Sequence, residues 1–162
     1  MTQCRVVVVS GAIASGKTTV TRELARRARE QGSQVAAIDM DELVEMVMGN
    51  DWLTVTRTHL WLARQMAISL VEKLSNSGAE LINGMQDHAT VRFVTLEVPL
   101  AEALRRCQED PQRVVTKDRG LVARIYNGID WRVLPRGEIV LSTDGASVHE
   151  TADRVEERLA LR

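Results

Sequence analysis

The stretch that decides the fold of this 162-residue chain lies near its start and reads Val6-Val7-Val8-Val9-Ser10-Gly11-Ala12-Ile13-Ala14-Ser15-Gly16-Lys17-Thr18. The four consecutive valines predict a buried strand, and the residues from Lys17 to about Gln31 have the spacing of an amphipathic helix. The loop between these two elements matches the pattern G-x-x-x-x-G-K-[ST]. Between a strand and a helix, this pattern predicts a loop that holds the phosphates of a nucleoside triphosphate.

Each fixed residue of the loop has a chemical reason to be there. The two glycines let backbone N–H groups approach phosphate oxygens, because no Cβ blocks the way. Lys17 is predicted to reach the β- and γ-phosphates, and the Thr18 hydroxyl is predicted to ligate Mg²⁺. The amino end of the following helix favours the same anion. The predicted nucleotide-binding residues are Gly11, Ala12, Ile13, Ala14, Ser15, Gly16, Lys17, Thr18 and Thr19.

The composition limits the class of protein. The length predicts one domain over residues 1–162, and 44% hydrophobic with 27% charged residues is ordinary for a globular chain. The net charge of −1 argues against a nucleic-acid backbone as the main partner. Cys4 and Cys107 are too few and too far apart for a disulfide framework or a metal site. Without a span of ~20 apolar residues or an export signal, we expect no membrane partner and a cytoplasmic protein. The oligomeric state is not indicated.

Predicted strands and helices alternate along the chain, which is typical of a parallel sheet with helices on both faces. The strands are predicted at 5–10, 34–38, 79–83, 92–98 and 138–142, and the helices at 17–31, 42–48, 56–75, 100–107, 121–126 and 147–161. Only about eight residues, 84–91, separate the third strand from the fourth, fewer than a parallel crossover needs. One of these strands is misassigned, or the crossover is very short, or a segment is missing from the chain.

Two carboxylates follow the second predicted strand, at the sheet edge where ligands of α/β proteins bind. Asp39 and Asp41 are close enough in sequence to share a role. A carboxylate there can hold an acceptor hydroxyl and take its proton, while an aspartate there can equally cap the helix that begins near Glu42. We predict Asp41 as the general base and Asp39 in the second role, facing the acceptor or the water shell of the metal.

Arginines are concentrated between residues 105 and 124. Arg113 and Arg119 lie outside the clear helical pattern, and we predict that they close over the transferring phosphate from a lid at about 109–127. Arg105 and Arg106 fit a solvated helix face equally well. Near the start of the long helix, Trp61 could stack on a ring or pack internally, and the neighbouring arginines 57 and 64 could contact an acceptor or simply lie at the surface.

Taken together, the chain resembles the small P-loop kinases, notably the chloramphenicol phosphotransferase-like group, with a more distant likeness to adenylylsulfate kinase, gluconate kinase and zeta-toxin kinases. The resemblance is carried by residues 11–18, 39–43, 113–119 and 139–144. It implies a three-layer P-loop NTPase fold, α/β, with a five-stranded parallel sheet flanked by helices and a small arginine-bearing lid. It also implies ATP with Mg²⁺ as cofactors, and Asp41 as the base toward the acceptor hydroxyl.

The resulting hypothesis is an ATP-dependent kinase that phosphorylates a hydroxyl of a small molecule, such as an antibiotic or a nucleoside-like compound. A polynucleotide 5′-hydroxyl kinase can use the same core, but it would need a basic groove for the strand. A third hypothesis is a nucleotide switch. Resemblance to GTPases would require an Asn-Lys-x-Asp element, and the nearest stretch, Thr116-Lys117-Asp118, does not match it.

Overall fold

The computed structural model describes residues 4–49, 54–75, 89–111, 115–128 and 139–160, and it has an α/β fold. The contacts within the chain group into two compact units. The first comprises Met1–Val6 with Ala36–Val91, and the second comprises Val7–Val35 with Arg92–Arg162. In chain order the elements are β1 Cys4–Gly11, α1 Lys17–Glu30, α2 Met40–Met48, α3 Arg57–Ser75, β2 Ala89–Glu97, α4 Leu100–Glu109, a 3₁₀ turn Val115–Lys117, α5 Arg119–Asn127, β3 Ile139–Ser142 and α6 Val148–Leu159.

The sheet has three strands in the described part of the chain, in the order β1-β2-β3. Strands β2 and β3 are parallel, with Val94 opposite Ile139 and Glu97 opposite Ser142. This confirms the strands predicted at 5–10, 92–98 and 138–142, with boundaries that differ by at most three residues. The strand predicted at 79–83 lies outside the described residues, so the sheet that the structure describes is three-stranded rather than five-stranded.

The strand predicted at 34–38 is wrong, because these residues are described and have no strand structure. Ala36 and Ala37 occupy the middle of the run and are exposed. Alanine has a low preference for strands, since its small side chain gains little from packing on a pleated surface. The carbonyl of Val35 instead accepts hydrogen bonds from the guanidinium of Arg29, from Nη2 at 3.0 Å and Nε at 3.3 Å.

One face of the sheet carries the main core of the second unit. Valines and leucines of β2 and β3 pack with residues of α1 and α6, and the buried members are Val20, Val94, Leu96, Ile139, Leu141, Val155 and Leu159. Helices α1 and α6 are also joined by an ion-pair network, in which Arg27 donates to Glu23 at 2.7 Å and to Asp153 at 2.7 Å. Helix α1 is therefore fixed along its length, so its amino end has a defined position.

A second cluster lies around the loop that follows β1. Its buried members are Ala12, Ala14, Val98, Ala103, Cys107 and Val122. The loop thus packs its small apolar side chains against α4 and α5. The hydroxyl of Tyr126, on α5, donates a 2.7 Å hydrogen bond to the carbonyl of Val98. This cluster holds the loop through the side chains of Ala12 and Ala14.

The first unit contains the pair α2 and α3, which share a small core of Leu43, Val44 and Ala63. The opposite face of α3 is exposed, and Trp61 on it is 57% accessible. Arg57 and Arg64 are exposed too, and spacings of three and four residues put them on the same face as Trp61. No described helix is both long enough and apolar enough to cross a bilayer.

Candidate functional site

The loop from Gly11 to Gly16 has the backbone conformation that its glycines allow. Gly11 has φ +150°, and a Cβ on it would lie 2.2 Å from the carbonyl oxygen of Leu96. Gly16, with φ +87°, is the residue from which α1 starts. Only glycine adopts these conformations with little strain. The two fixed glycines of the motif are therefore required by the backbone: one where β1 leaves the sheet, the other where the helix begins.

Two hydroxyls anchor the start of the loop to the neighbouring strand. Ser10 Oγ donates to the carbonyl of Val94 at 3.3 Å, and it lies 3.1 Å from Thr95 Oγ1. Thr95 is buried within the sheet. The strand end from which the loop departs is therefore fixed by side chains as well as by the sheet.

Lys17 holds its ammonium against the loop that precedes it. Its Nζ donates to the carbonyl oxygens of Gly11 at 3.1 Å and Ala12 at 2.9 Å. The helix start adds further positive potential, because Gly16 offers no side-chain cap to the first turn of α1. A lysine charge and helix-terminal amides at one loop form a site with a strong preference for anions. The order of strand, loop and helix is the one that the motif predicts, and the contacts of Lys17 with phosphate stay a prediction.

Ser15 has an unusual environment inside the loop. It is fully buried, and its Oγ has no hydrogen-bond partner among the described residues. Its backbone N–H is bonded, donating to the carbonyl of Ala12 at 3.2 Å. A buried hydroxyl without a partner costs free energy, so such a group calls for a specific explanation.

A cleft of about 690 Å³ adjoins the loop within the second unit. One wall is formed by the loop and the start of α1, including Ser15, Gly16 and Thr19. The others are formed by α4 and by the segment from Thr143 to Val148 that leads from β3 into α6. This volume lies within the range of sites that bind small molecules, and residues 14–16 of the loop line the cleft.

Arg106, on α4, crosses from one wall of this cleft to another. Its Nη1 donates to the carbonyl of Ala14 at 3.3 Å and to Thr143 Oγ1 at 3.1 Å, and its Nη2 donates to the carbonyl of Thr143 at 2.6 Å. Its Nε donates to Glu102 at 2.7 Å. Hydrogen bonds from Arg105 first, and from Arg106 second, lower the pKa of Glu102 from 4.5 to about 2. Of the two arginines that the sequence left undecided, Arg105 forms ion pairs with carboxylates of its own helix, whereas Arg106 links two loops.

The sequence offered a signal for Arg106 that is easy to miss. Ala103 is fully buried on the inner face of α4, and the spacing of three residues puts Arg106 beside it. The side chain of Arg106 is 25% accessible, against 55% for Arg105. Glu102 and Tyr126, which fix the surroundings of the loop, carried no signal of this kind.

The structure describes one of the two arginines predicted for the lid, and the role of both over the transferring phosphate stays a prediction. Arg119 is the first residue of α5 and is exposed, directly after Asp118, whose side chain caps the helix by accepting from the N–H of Leu121 at 3.0 Å. Arg113 lies outside the described residues. Helix α5 itself is anchored in the cluster around the loop, because Val122 is fully buried there.

Both aspartates lie in the first unit. Asp39 is the N-cap of α2, and its carboxylate accepts from the N–H of Asp41 at 3.0 Å. The capping role that the sequence allowed for one aspartate is therefore filled by Asp39, in a helix that begins at Met40. Asp41 is exposed in the first turn of that helix. The role of Asp41 as a base stays a prediction.

No protein-family model matches the sequence, and no curated protein matches it either. Solved structures do match. An adenylylsulfate (APS) kinase of Mycobacterium tuberculosis, solved with AMPPNP and APS, superposes with a TM-score of 0.66 at 19% identity, over 99% of each chain. A sugar kinase from Janibacter gives 0.60 at 18% identity, over 97% of this chain and 95% of the other. The tunicamycin resistance protein of Deinococcus radiodurans gives 0.59 at 16% identity, over 97% and 96%.

Two of these three neighbours are kinases, and their fold agrees with the resemblance read from the motifs. At these identities the likeness concerns the fold. Combined with the loop geometry at Gly11, Gly16 and Lys17, it identifies the architecture: this chain has the fold of the P-loop kinases.

Proposed function

We propose that this protein is an ATP- and Mg²⁺-dependent kinase that transfers the γ-phosphate to a hydroxyl of a small molecule, working in the cytoplasm where ATP is available. The observation that carries the proposal is the phosphate loop, in which Gly11 and Gly16 set the backbone and Lys17 supplies the charge. The adjoining cleft of about 690 Å³ has room for the nucleoside end of ATP. Kinase neighbours across the full length of the chain support the same reaction class.

The donor set of the loop fits magnesium. Mg²⁺ prefers oxygen ligands and keeps several waters, so it needs few protein groups when phosphates supply the others. Thr18, at the second position of α1, offers one hydroxyl, and no cluster of three or more acidic, histidine or cysteine side chains in the described residues forms a separate cage. Bound beside Thr18 and the triphosphate, magnesium supplies charge neutralisation of the phosphoryl group.

The chain's own groups account for the remaining steps. Lys17 exchanges its loop carbonyls for oxygens of the β- and γ-phosphates, and the loop amides bind the same anion. The acceptor oxygen forms a bond to the γ-phosphorus while the bond from phosphorus to the leaving oxygen of ADP breaks. Asp41 takes the proton of the acceptor hydroxyl. Arg113 and Arg119 neutralise charge on the transferring phosphoryl group.

The experiment is phosphate transfer from γ-labelled ATP to a panel of antibiotics, nucleosides and sugars. We expect Asp41→Asn to lose at least ~100-fold in transfer rate while it binds MgATP as the wild type does, because general-base catalysis contributes about that much. Asp39→Asn is the informative comparison, since asparagine caps a helix as well as aspartate does. Full transfer by Asp41→Asn with loss in Asp39→Asn would exchange the two roles, and full transfer by both would remove the proposed base.

A second candidate function, a polynucleotide 5′-hydroxyl kinase, is favoured by one observation. An indole between two guanidiniums on an exposed helix face, as at Arg57, Trp61 and Arg64, is suited to base stacking with phosphate contacts. Titration of a labelled single-stranded oligonucleotide at several salt concentrations tests it. Steeply salt-dependent binding that Trp61→Ala weakens would support this candidate, and no binding at low salt would reject it.

A further inference from the structure

Arg106 donates its hydrogen bonds to groups of the chain itself, which neither a surface arginine nor a direct ligand of phosphate needs to do. Its guanidinium donates to main-chain or side-chain oxygens of Ala14 and Thr143, which lie 129 residues apart in sequence, and to Glu102 on its own helix. A planar guanidinium can bridge fixed acceptors in this way because its donors have a rigid arrangement. The Glu102 carboxylate, which holds Nε at 2.7 Å, orients that fork.

The two loops joined by Arg106 are held in different ways. Thr143 is 3% accessible, and both its N–H, at 2.9 Å, and its hydroxyl, at 3.3 Å, donate to the carbonyl of Glu97 at the end of β2. Ala14 belongs to the phosphate loop and has φ +57°, a left-handed conformation that a non-glycine residue adopts only under constraint. Arg106 therefore connects a constrained residue to a rigid one.

We propose that Arg106 is a positioning residue that fixes the phosphate loop to the end of the sheet. It donates to Thr143, which is fixed at the ends of β3 and β2. It also donates to the carbonyl of Ala14, and this bond holds the turn that precedes Gly16 and Lys17. The loop is then organised before a phosphate arrives, so that binding does not have to order it. That the loop's ligand is a nucleotide rests on the proposed function, whereas the bracing itself does not.

The first test measures the loop without added nucleotide. Amide hydrogen exchange of Ser15, whose N–H is bonded inside the loop, is followed by NMR in the wild type and in Arg106→Lys and Arg106→Gln. We expect both variants to exchange this amide at least ~10-fold faster, with the Val155 amide of α6 unchanged. The matched control is Arg26→Gln, which removes an arginine paired with Glu23 and Glu30 of its own helix, and it should leave Ser15 at the wild-type rate.

The second test measures MgATP affinity by calorimetry in the same proteins. Lysine keeps the charge but lacks the fork, so we expect Arg106→Lys and Arg106→Gln both to raise the Kd at least ~10-fold, and Arg26→Gln to stay within ~2-fold. If Arg106→Lys bound MgATP with wild-type affinity, the positive charge alone would be sufficient and the proposal would be overturned. An unchanged Ser15 exchange rate, or an equal acceleration at Val155, would overturn it too. If the wild type bound no MgATP while Ser15 still responded, the proposed function would fail and the bracing would stand.

Discussion

Replacing Gly11 by alanine tests the geometry on which the phosphate loop depends. The new Cβ would lie 2.2 Å from the carbonyl oxygen of Leu96 and 2.7 Å from Ser15 Oγ, and the first of these atoms belongs to the backbone of β2. Strain at φ +150° costs about 1–3 kcal/mol. Relieving the overlap costs about 1–3 kcal/mol more, because the strand must shift. We therefore expect Gly11→Ala to lower the free energy of unfolding by about 2–6 kcal/mol.

The matched control is Gly32→Ala. Gly32 also has a positive φ, of +84°, but a Cβ on it would meet nothing within 4 Å. The free-energy cost of Gly32→Ala is therefore the left-handed strain alone, about 1–2 kcal/mol. The reduced conformational freedom of the unfolded chain offsets part of this cost. Urea unfolding followed by circular dichroism distinguishes the two variants. With a typical dependence of the free energy of unfolding on urea concentration, the midpoint of Gly11→Ala should be about 1 M lower than that of Gly32→Ala. Equal midpoints for both variants would refute the close approach of Gly11 to β2.

Three further predictions concern the surroundings of the loop. Ser15→Ala removes a buried hydroxyl that has no partner among the described residues, so it should raise the free energy of unfolding by about 1 kcal/mol and weaken MgATP binding. A lower free energy of unfolding in urea would contradict this. Glu102→Gln should destabilise the protein most above pH 4.5, because Arg105 lowers the pKa of the carboxyl in the folded protein to about 2. The difference in Tm between wild type and variant should therefore shrink as the pH falls toward about 2, and a difference that does not vary with pH would contradict this. Tyr126→Phe removes the bond to Val98 and should cost about 0.5–1.5 kcal/mol in urea unfolding, and an unchanged midpoint would show that the bond contributes nothing.

The parts of the site that the sequence predicted well are those encoded locally. From Gly11 to Lys17 the strand, the glycines and the helix start follow one another, so the local order of residues is enough to predict the turn. Capping is local in the same way, because the carboxylate of Asp39 and the N–H of Asp41 are two residues apart, although the sequence did not decide which aspartate would cap the helix. The six predicted helices are all present for this reason too, with boundaries within two residues of those observed.

The parts that the sequence missed depend on partners far along the chain. A strand needs a neighbour to pair with, and the run at 34–38 contains Ala36 and Ala37, whose packing contributes too little to fix one. Arg106 carries no sign in its own segment that Ala14 and Thr143 will lie beside it. Such contacts depend on how the second unit packs as a whole. The spacing of residues along a helix predicts that packing only in part.

The most direct measurement of the central claim is calorimetric titration of MgATP into the wild-type protein and into Lys17→Met. We expect one site per chain with a Kd in the micromolar range, and a Kd at least ~100-fold higher for the variant, because a charge-assisted contact to phosphate is lost while the helix start remains. No heat of binding in the wild type, or equal affinity in both proteins, would contradict the assignment of residues 11–18 as a nucleotide-binding loop.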